Sequence, residues 1–359
     1  MRFTDVTQQA GLTYWHHVPE PLFGQIEPPE TIGGAVAEDF DGDGWVDLFV
    51  LRGGEAPSLL YMNQGDGTFT EEGNARGADL PTKLGAAAAA ADYDNDGDID
   101  IVVSKQRAPH YLLINDGSGQ FTVDATMLTA PETFATSPSW GDVDNDGMLE
   151  LVLGDWIPKT AQDYDTSSKA SNEQPSQVGL NPTMGVNGLT PLFMYRNTGQ
   201  GRLEPYEFRI VPAVDLWVFS PRFADLNGDG LTDLAVVADF MMSRLYLNVG
   251  DGMFEFDADT TDILTEDNGM GAAIGDYDND GDLDWFVTSI YGHPSPPAPT
   301  GNRLYRNDAG MVFADVTGDA GVRDGSWGWA ASFGDLDNDG DLDLYHVNGW
   351  IKKDGLGSP

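Results

Sequence analysis

A nine-residue acidic pattern recurs six times along the chain, starting at Asp39, Asp92, Asp142, Asp225, Asp276 and Asp335. Its last copy reads Asp-Leu-Asp-Asn-Asp-Gly-Asp-Leu-Asp, which places carboxylates at positions 1, 3, 5 and 9 and a glycine at position 6. Alternate side chains of a tightly curled loop can point inward, so these carboxylates can share one centre. Two anions ~5 Å apart repel by roughly 1 kcal/mol in water and ~3 kcal/mol at an effective dielectric constant near 20. The pattern therefore predicts a bound cation in each loop.

The donor set of these loops predicts Ca²⁺. A flexible site built only from oxygen suits Ca²⁺ better than Zn²⁺ or Mg²⁺, while glycine at position 6 allows the sharp turn and position 7 offers its backbone carbonyl. Two copies depart from the pattern, with Glu150 at position 9 and Asn227 at position 3, and we expect weaker or altered binding there because both still present oxygen. About six Ca²⁺ are expected, one in each loop. The predicted ligands at positions 1, 3, 5, 7 and 9 are Asp39, Asp41, Asp43, Trp45, Asp47, Asp92, Asp94, Asp96, Asp98, Asp100, Asp142, Asp144, Asp146, Met148, Glu150, Asp225, Asn227, Asp229, Leu231, Asp233, Asp276, Asp278, Asp280, Asp282, Asp284, Asp335, Asp337, Asp339, Asp341 and Asp343.

Two other interpretations of the loops are weaker. A single copy could be a solvated acidic turn, since Asp and Gly also form plain turns, but six copies in register argue against chance. An EF-hand loop needs a bidentate Glu at position 12 inside a following helix. Position 12 is here occupied by Val50, Val103, Leu153, Val236, Val287 and His346. The residues after the loops are short and β-like, so the loops should lead into strands and position 9 should supply the closing carboxylate.

Composition narrows the classes of partner. The chain has 359 residues, 40% of them hydrophobic, with a formal charge of −41 and a pI of about 4.1. This acidity excludes nucleic acids and anionic membrane surfaces as expected partners. There is no cysteine, hence no disulfide and no Cys-type zinc site. No apolar run reaches the ~18 residues needed for a membrane span, so none is predicted.

A second repeated signature follows the loops and has the form Asn-x-Gly-x-Gly-x-Phe, with strand-like residues before it. Its copies, some of them imperfect, are Asn63–Phe69, Asn115–Phe121, Asn197–Leu203, Asn248–Phe254 and Asn307–Phe313. Glycine-rich turns between two strands are typical of hairpins. Each next acidic loop starts 21 to 23 residues after the end of a copy. A unit of about 50 residues with four strands predicts an all-β fold, a β-propeller of four-stranded blades. The Ala86–Ala91 run should be a strand in spite of its helix propensity, because small residues fit the crowded first strands.

The ends of the chain predict how the propeller closes. Residues Phe3–Leu12 match Phe313–Val322 at six of ten positions. We therefore interpret residues 1–359 as a single propeller domain in which strand 3–7 closes the ring. The sixth repeat stops before its hairpin signature, which predicts six calcium-loop blades of a truncated seven-bladed ring. The third blade carries a polar insertion at about 156–190, expected to be a surface loop, in which Trp156 and Tyr164 could alternatively contact a carbohydrate or a protein.

The loops resemble the FG-GAP/VCBS repeats of integrin α-subunit propellers. More closely, the chain resembles the bacterial cartilage-acidic-protein family, whose propeller is usually followed by an ASPIC/UnbV domain. The resemblance rests on Phe3–Leu12, Gly33-Gly34, the six acidic loops, the Leu-Tyr-x-Asn strands and Leu344–Trp350. It implies a secreted or surface-attached calcium-binding propeller with no established catalytic role.

Together these features predict an extracellular, cell-surface or periplasmic calcium-binding propeller that acts in adhesion or as a structural protein. A protein or glycan ligand is expected on one face. The first alternative is a calcium-dependent carbohydrate-active enzyme similar to propeller polysaccharide lyases, and the second is a subunit of a surface assembly. We predict no enzyme activity, because no nucleophile motif, phosphate loop or zinc spacing occurs. His16 and His17 could join a metal site, but packing or plain exposure is the favoured interpretation.

Overall fold

The computed structural model describes most of the chain. The described residues are 3–14, 33–53, 56–80, 85–106, 109–128, 135–156, 192–199, 201–206, 209–211, 216–260, 263–291 and 300–348. Within these ranges the chain is all-β, with a single four-residue helix, and it folds into successive antiparallel sheets. It divides into two compact units, the first formed by Met1–Asp142, Asp146–Asp155 and Phe193–Glu207, and the second by Val143–Asn145, Trp156–Leu192 and Phe208–Pro359.

Three four-stranded sheets form in the first part of the chain, and in each the strands pair in chain order. The first sheet contains β1 (Ala35–Glu38), β2 (Asp47–Val50), β3 (Leu59–Asn63) and β4 (Phe69–Glu71). The second contains β5 (Gly85–Ala91), β6 (Asp100–Lys105), β7 (Tyr111–Asn115) and β8 (Phe121–Asp124). The third contains β9 (Ala135–Gly141), β10 (Glu150–Asp155), β11 (Leu192–Asn197) and β12 (Leu203–Pro205). The hairpin signature joins the third strand to the fourth in each sheet, as predicted.

The later part of the chain forms three more sheets. The first of these has β14 (Val218–Ala224), β15 (Asp233–Ala238), β16 (Arg244–Asn248) and β17 (Met253–Phe256), with β13 (Arg209–Val211) added parallel to β17. The next has β18 (Ala272–Gly275), β19 (Asp284–Val287), β20 (Arg303–Asn307) and β21 (Phe313–Asp315), followed by α1 (Thr317–Ala320). The last described sheet pairs β22 (Gly328–Gly334) with β23 (Asp343–Asn348). The predicted all-β fold of propeller-type, four-stranded blades is confirmed.

Small residues are frequent in several first strands, such as β1, β5 and β18, because neighbouring backbones approach closely there. The alanine run is strand β5, as predicted, and pairs with β6 in antiparallel register. A Cβ atom on Gly34, just before β1, would lie 3.2 Å from the Cα atom of Ala87 in β5. A Cβ atom on Gly271, just before β18, would lie 2.7 Å from the Cα atom of Ala330 in β22. Close packing of first strands therefore overrides the helix propensity of alanine.

The core lies between consecutive sheets within each unit. In the first unit, alternate apolar residues of the second and third strands, such as Phe49 and Leu60, pack against Ile101 and Leu113 of the next sheet, and all four are fully buried. Strands β6 and β10 are wholly buried, which explains their apolar runs, whereas β2 alternates between buried and half-buried residues. The second strand of each sheet is thereby fixed, and with it the end of the acidic loop that precedes it.

No strand is assigned to residues 3–7, where the closing strand was predicted. Residues 3–6 lie outside any strand, residues 7–11 form a turn, and the Phe69 N–H donates to the Ala10 carbonyl at 2.8 Å. No described strand pairs with this segment, and a strand without a partner lacks the hydrogen bonds that define it. The insertion at 157–190 lies outside the described residues, as do Tyr164, His16 and His17. The single domain, its closure and the seven-bladed ring stay predictions.

Candidate metal centres

The six acidic loops have one shared backbone conformation, and each connects the first strand of a sheet to the second. Position 4 has a positive φ in all of them, 56° to 60° where it is Asn and 71° or 72° where it is Gly. The glycine at position 6 has φ between 86° and 98°. A Cβ atom there would meet nothing within 4 Å, so backbone conformation rather than space requires glycine.

Two of the predicted ligand positions hold the loop together by bonding its own backbone. In the first loop the Asp43 N–H donates to Asp39 Oδ1 at 3.1 Å, and the Gly44 N–H donates to Asp39 Oδ2 at 2.8 Å. The same two bonds recur in every loop at 2.8 to 3.2 Å. The position-5 carboxylate accepts the position-7 N–H in all six loops at 2.8 to 3.0 Å. Position 7 thus faces the loop through its backbone, and its carbonyl stays a predicted ligand.

Carboxylates converge in five of the loops, as the sequence predicts. In each, one oxygen from each of three acids lies within 4.8 Å of the other two. The groups are Asp39, Asp41 and Asp43; Asp92, Asp94 and Asp96; Asp142, Asp144 and Asp146; Asp276, Asp278 and Asp284; and Asp335, Asp337 and Asp339. Position 9 joins such a group only in the fifth loop, whereas positions 1, 3 and 5 form the others.

At position 3, two of the carboxylates each keep one oxygen that no donor satisfies. Asp41 Oδ1 and Asp94 Oδ1 are buried and have no hydrogen-bond donor. Burial, and then the charge of Asp96, raise the pKa of Asp94. Buried polar oxygens are nearly always satisfied in folded proteins. An oxygen-only donor set with an orphaned oxygen at its centre fits a hard divalent cation such as Ca²⁺.

Position 9 has a structural role that the sequence did not reveal. Asp47 is 1% exposed; its Oδ2 accepts the Phe40 N–H at 3.1 Å and its Oδ1 accepts the Asn63 N–H at 2.7 Å. The same pair of bonds forms at Asp233 and Asp284, from position 2 of the loop and from the hairpin asparagine. Burial raises the pKa of both carboxyls to about 6. The acid therefore ties the loop to the third strand in addition to any metal contact.

The asparagine of the hairpin signature is a second residue whose role sequence reasoning missed. Asn115 Nδ2 donates to the Phe40 carbonyl of the preceding loop at 2.8 Å and to the Ile99 carbonyl of its own loop at 3.1 Å. Asn197 and Asn307 make the equivalent bonds to preceding loops, at 2.6 and 2.9 Å. We call this contact the asparagine clamp. The regular Asn-x-Gly spacing was the sequence pattern that pointed to this contact, but the spacing was interpreted only as a turn.

The fourth loop differs from the others at position 3. Asn227 Nδ2 donates to Asp229 Oδ2 at 2.9 Å, and Asn227 Oδ1 accepts the Asp229 N–H at 2.9 Å. The Gly228 N–H also donates to Asp225 Oδ1 at 2.9 Å. A side-chain hydrogen bond here replaces the repulsion between two anions. This supports the expectation of weaker or altered cation binding in the fourth loop.

An aromatic cluster in the second unit lies at the ends of strands away from the loops. Trp156 packs against Trp217 and Phe219, with ring centroids 5.3 and 5.8 Å apart, and its Nε1–H donates to Asp239 Oδ2 at 3.2 Å. Burial raises the pKa of Asp239 to about 7. Trp156 is only 8% exposed, so it is largely a packing residue rather than the freely exposed contact residue considered from the sequence.

The comparisons with known proteins agree with this geometry. The FG-GAP-like repeat profile matches residues 39–103, 92–153, 225–287 and 292–346, which together cover more than half of the chain. The chain belongs to the FG-GAP-like repeat family. No curated protein matches its sequence. Kinship with the ASPIC/UnbV-associated family stays a prediction, whereas the predicted FG-GAP repeats are confirmed.

Several solved structures are similar to this chain at low sequence identity. An Agrocybe aegerita lectin that recognises non-reducing terminal N-acetylglucosamine is 18% identical, with 88% of this chain and 74% of the lectin covered and a TM-score of 0.52. The V. cholerae biofilm matrix protein Bap1 is 17% identical, with 83% and 41% covered and a TM-score of 0.41. Rhamnogalacturonan lyase YesW is 14% identical, with 88% and 55% covered and a TM-score of 0.40. Among the described residues, no helix has the length and apolar character needed to cross a membrane.

Proposed function

We propose that this chain is the calcium-stabilised repeat region of an extracellular binding or structural surface protein. The observation that carries the proposal is the position-3 carboxylate, which has a buried oxygen without a donor in two loops and converges with neighbouring carboxylates. Backbone N–H groups bond the carboxylates of positions 1 and 5 in all six loops, and both oxygens of position 9 in the first, fourth and fifth loops. A cation supplies what position 3 lacks.

Calcium at extracellular concentration would contribute a large share of the stability. At ~1 mM Ca²⁺ and a site Kd of ~0.1 mM, each ion adds about 1.4 kcal/mol, and six ions about 8 kcal/mol. This total is comparable to the net stability of a whole domain. Sites of such affinity need millimolar calcium, which supports a location outside the cytosol.

Equilibrium dialysis against ⁴⁵Ca²⁺ at millimolar concentration tests the proposal directly. We expect several bound ions per chain, fewer by one in Asp94→Asn, and no competition from equimolar Mg²⁺. The matched control is Asp251→Asn, which changes an exposed acid at φ 52° in a hairpin outside the loops. A chain that retains no calcium, or a variant pair that binds equally, contradicts the metal role.

The ligand of such a surface protein is proposed to be a glycan or a protein. The supporting observation is a strained turn beside the aromatic cluster, where Phe240 and Met241 have φ of 60° and 61° and Met241 is 51% exposed. Strain of this kind concentrates at binding sites. Binding of immobilised glycans by the wild-type protein, with loss in Met241→Ala and Trp217→Ala, would support a glycan ligand. Binding unaffected by both changes places the ligand elsewhere.

The absence of enzyme activity stays a prediction, and the lyase remains the alternative. Incubation with acidic polysaccharides, followed by absorbance of unsaturated products, decides between them. Assembly into a larger surface structure is the other alternative. Light scattering with calcium present distinguishes a monomer from a subunit of such an assembly.

A further inference from the structure

An arginine joins two sheets in the first unit. Arg76 Nε donates to Glu72 Oε2 at 2.7 Å, one terminal nitrogen donates to the Ser118 carbonyl at 2.6 Å, and the other lies 3.4 Å from Asp41 Oδ2. Its side chain is 16% exposed. Three groups thus bind the guanidinium group of Arg76: Asp41 at position 3 of an acidic loop, Glu72 after strand β4, and the Ser118 carbonyl of a hairpin turn. We call this arrangement the arginine frame.

The second unit repeats this frame at equivalent chain positions. Asn227 is the position-3 residue of its loop, Asp257 stands three residues after the Phe of the fourth strand, and Gly310 stands three residues after the hairpin asparagine. These are the spacings of the three residues that hold the guanidinium in the first unit. All three line a single cavity of about 540 Å³.

The cavity has acceptors but no basic side chain. Asp257 Oδ2 is buried there without a hydrogen-bond donor. The sequence contains no Lys or Arg between Arg244 and Arg303. Arg306, which does not line the cavity, donates to both oxygens of Asp308 at 2.6 and 2.9 Å. Among the described residues, therefore, no side chain that lines the cavity carries the positive charge that Arg76 provides in the first unit.

The remaining walls suit an aliphatic stem. Leu247, Ile263 and Met311 line the same cavity beside the polar residues. The cavity is larger than a guanidinium group alone, so an occupant extends along these apolar side chains. Arginine combines a planar fork of donors with such a stem.

We propose that this cavity binds a guanidinium-bearing ligand, with Asp257 and the Gly310 carbonyl accepting its N–H groups. The free group and the arginine side chain of a partner protein share this chemistry. The net charge of −41 attracts either one. The inference goes beyond the calcium role, because it requires no metal ion.

Isothermal titration with N-acetyl-L-arginine methylamide in saturating Ca²⁺ tests the site, and the neutral citrulline analogue is the matched probe. We expect saturable binding of the arginine probe alone, weakened about tenfold or more in Asp257→Asn because a charge-assisted hydrogen bond is lost. The exposed Asp251→Asn should bind as the wild type does. Equal binding of both probes, or full binding by Asp257→Asn, overturns the proposal.

Two further experiments identify the source of the guanidinium group and test the comparison with Arg76 of the first unit. Tighter binding of the peptide Ala-Arg-Ala than of methylguanidinium assigns the site to a partner's arginine, and equal binding assigns it to a small molecule. In the first unit, Arg76→Ala should lower the Tm, and methylguanidinium but not methylurea should restore it. A folded Arg76→Ala protein that methylguanidinium does not rescue would show that the frame does not recognise the free group and would count against the proposal.

Discussion

The second and fourth loops have the same backbone but differ at position 3. In both, positions 1 and 5 bond the same backbone N–H groups, and position 4 has a positive φ. The second loop leaves an oxygen of Asp94 buried and unpaired, whereas Asn227 of the fourth loop bonds Asp229. The loop conformation is therefore maintained by its own hydrogen bonds, and the two loops differ in the demand for a cation that position 3 makes.

Of the changes that test this comparison, removal of calcium should alter the free energy of unfolding most. Excess chelator is expected to reduce the free energy of unfolding by about 8 kcal/mol if six sites of ~0.1 mM affinity empty from ~1 mM Ca²⁺. Urea denaturation with calcium and with chelator measures the difference. A denaturation curve that the chelator leaves unchanged would show that the acidic loops are satisfied without metal.

Loss of a position-9 acid should have the second largest effect on stability, and this effect should not depend on calcium. Asp233→Ala removes the acceptor of the Leu226 and Asn248 N–H groups, which lie 3.1 and 2.9 Å away. Two buried donors left unsatisfied should cost about 4 kcal/mol. Chemical denaturation in chelator and in calcium should give the same loss, because the role is structural. A loss seen only with calcium would assign Asp233 to the metal instead. The exposed Asp251→Asn is the control.

Exchange of the position-3 residues should have smaller and opposite effects. Asp94→Asn is expected to reduce the calcium-induced stabilisation by about 1.4 kcal/mol, one site's share. Asn227→Asp should destabilise the chelated protein by about 1 kcal/mol through repulsion and a lost hydrogen bond. It should also enlarge the calcium-induced gain. Calorimetric melting of both variants at several calcium concentrations measures these changes, and parallel shifts in the two variants would remove the distinction between the loops.

A buried histidine outside the loops gives a pH-dependent contribution to stability that does not involve calcium and is the background for the comparison. The Lys105 N–H donates to His110 Nδ1 at 3.0 Å, and burial, assisted by the Lys105 charge, lowers the pKa of His110 to about 4. Between pH 6.5 and 4 the unfolded chain binds a proton that the folded chain does not, so stability falls as the pH falls. The slope should approach about 1.4 kcal/mol per pH unit.

His110→Gln tests this background, since glutamine offers an acceptor and does not titrate. In saturating calcium its stability should depend less on pH than that of the wild type between pH 6.5 and 4. Identical pH profiles of the two proteins would show that folding does not change the pKa of His110.

The sequence predicted most of the strands because their pattern repeats. The Ala86–Ala91 run shows how the repeat improves the prediction. Taken alone the run favours a helix, and only its place in the repeat indicates a strand. The convergence of positions 1, 3 and 5 also followed from alternation within a curled loop. The local spacing of residues was therefore sufficient to predict both the strands and the convergence of the carboxylates.

Contacts between repeats could not be predicted in this way. The clamp made by Asn115 requires knowledge of which carbonyl of the preceding loop lies nearby. Strand β13, which pairs with β17 in parallel, and the unpaired residues 3–6 likewise depend on neighbours that spacing does not identify. Position 9 was assigned to a metal because its carboxylate fits one; its further bond to the Asn63 N–H of β3 could not be predicted from spacing.

The asparagine clamp has a consequence for how such chains change in length. Its donor belongs to one repeat and its acceptor to the repeat before, as Asn115 with Phe40 and Asn307 with Leu226 show. A duplicated repeat arrives with a donor for its predecessor and an acceptor for its successor. Gain or loss of whole repeats therefore leaves every junction complete, whereas a breakpoint inside a repeat separates the two halves of a bond.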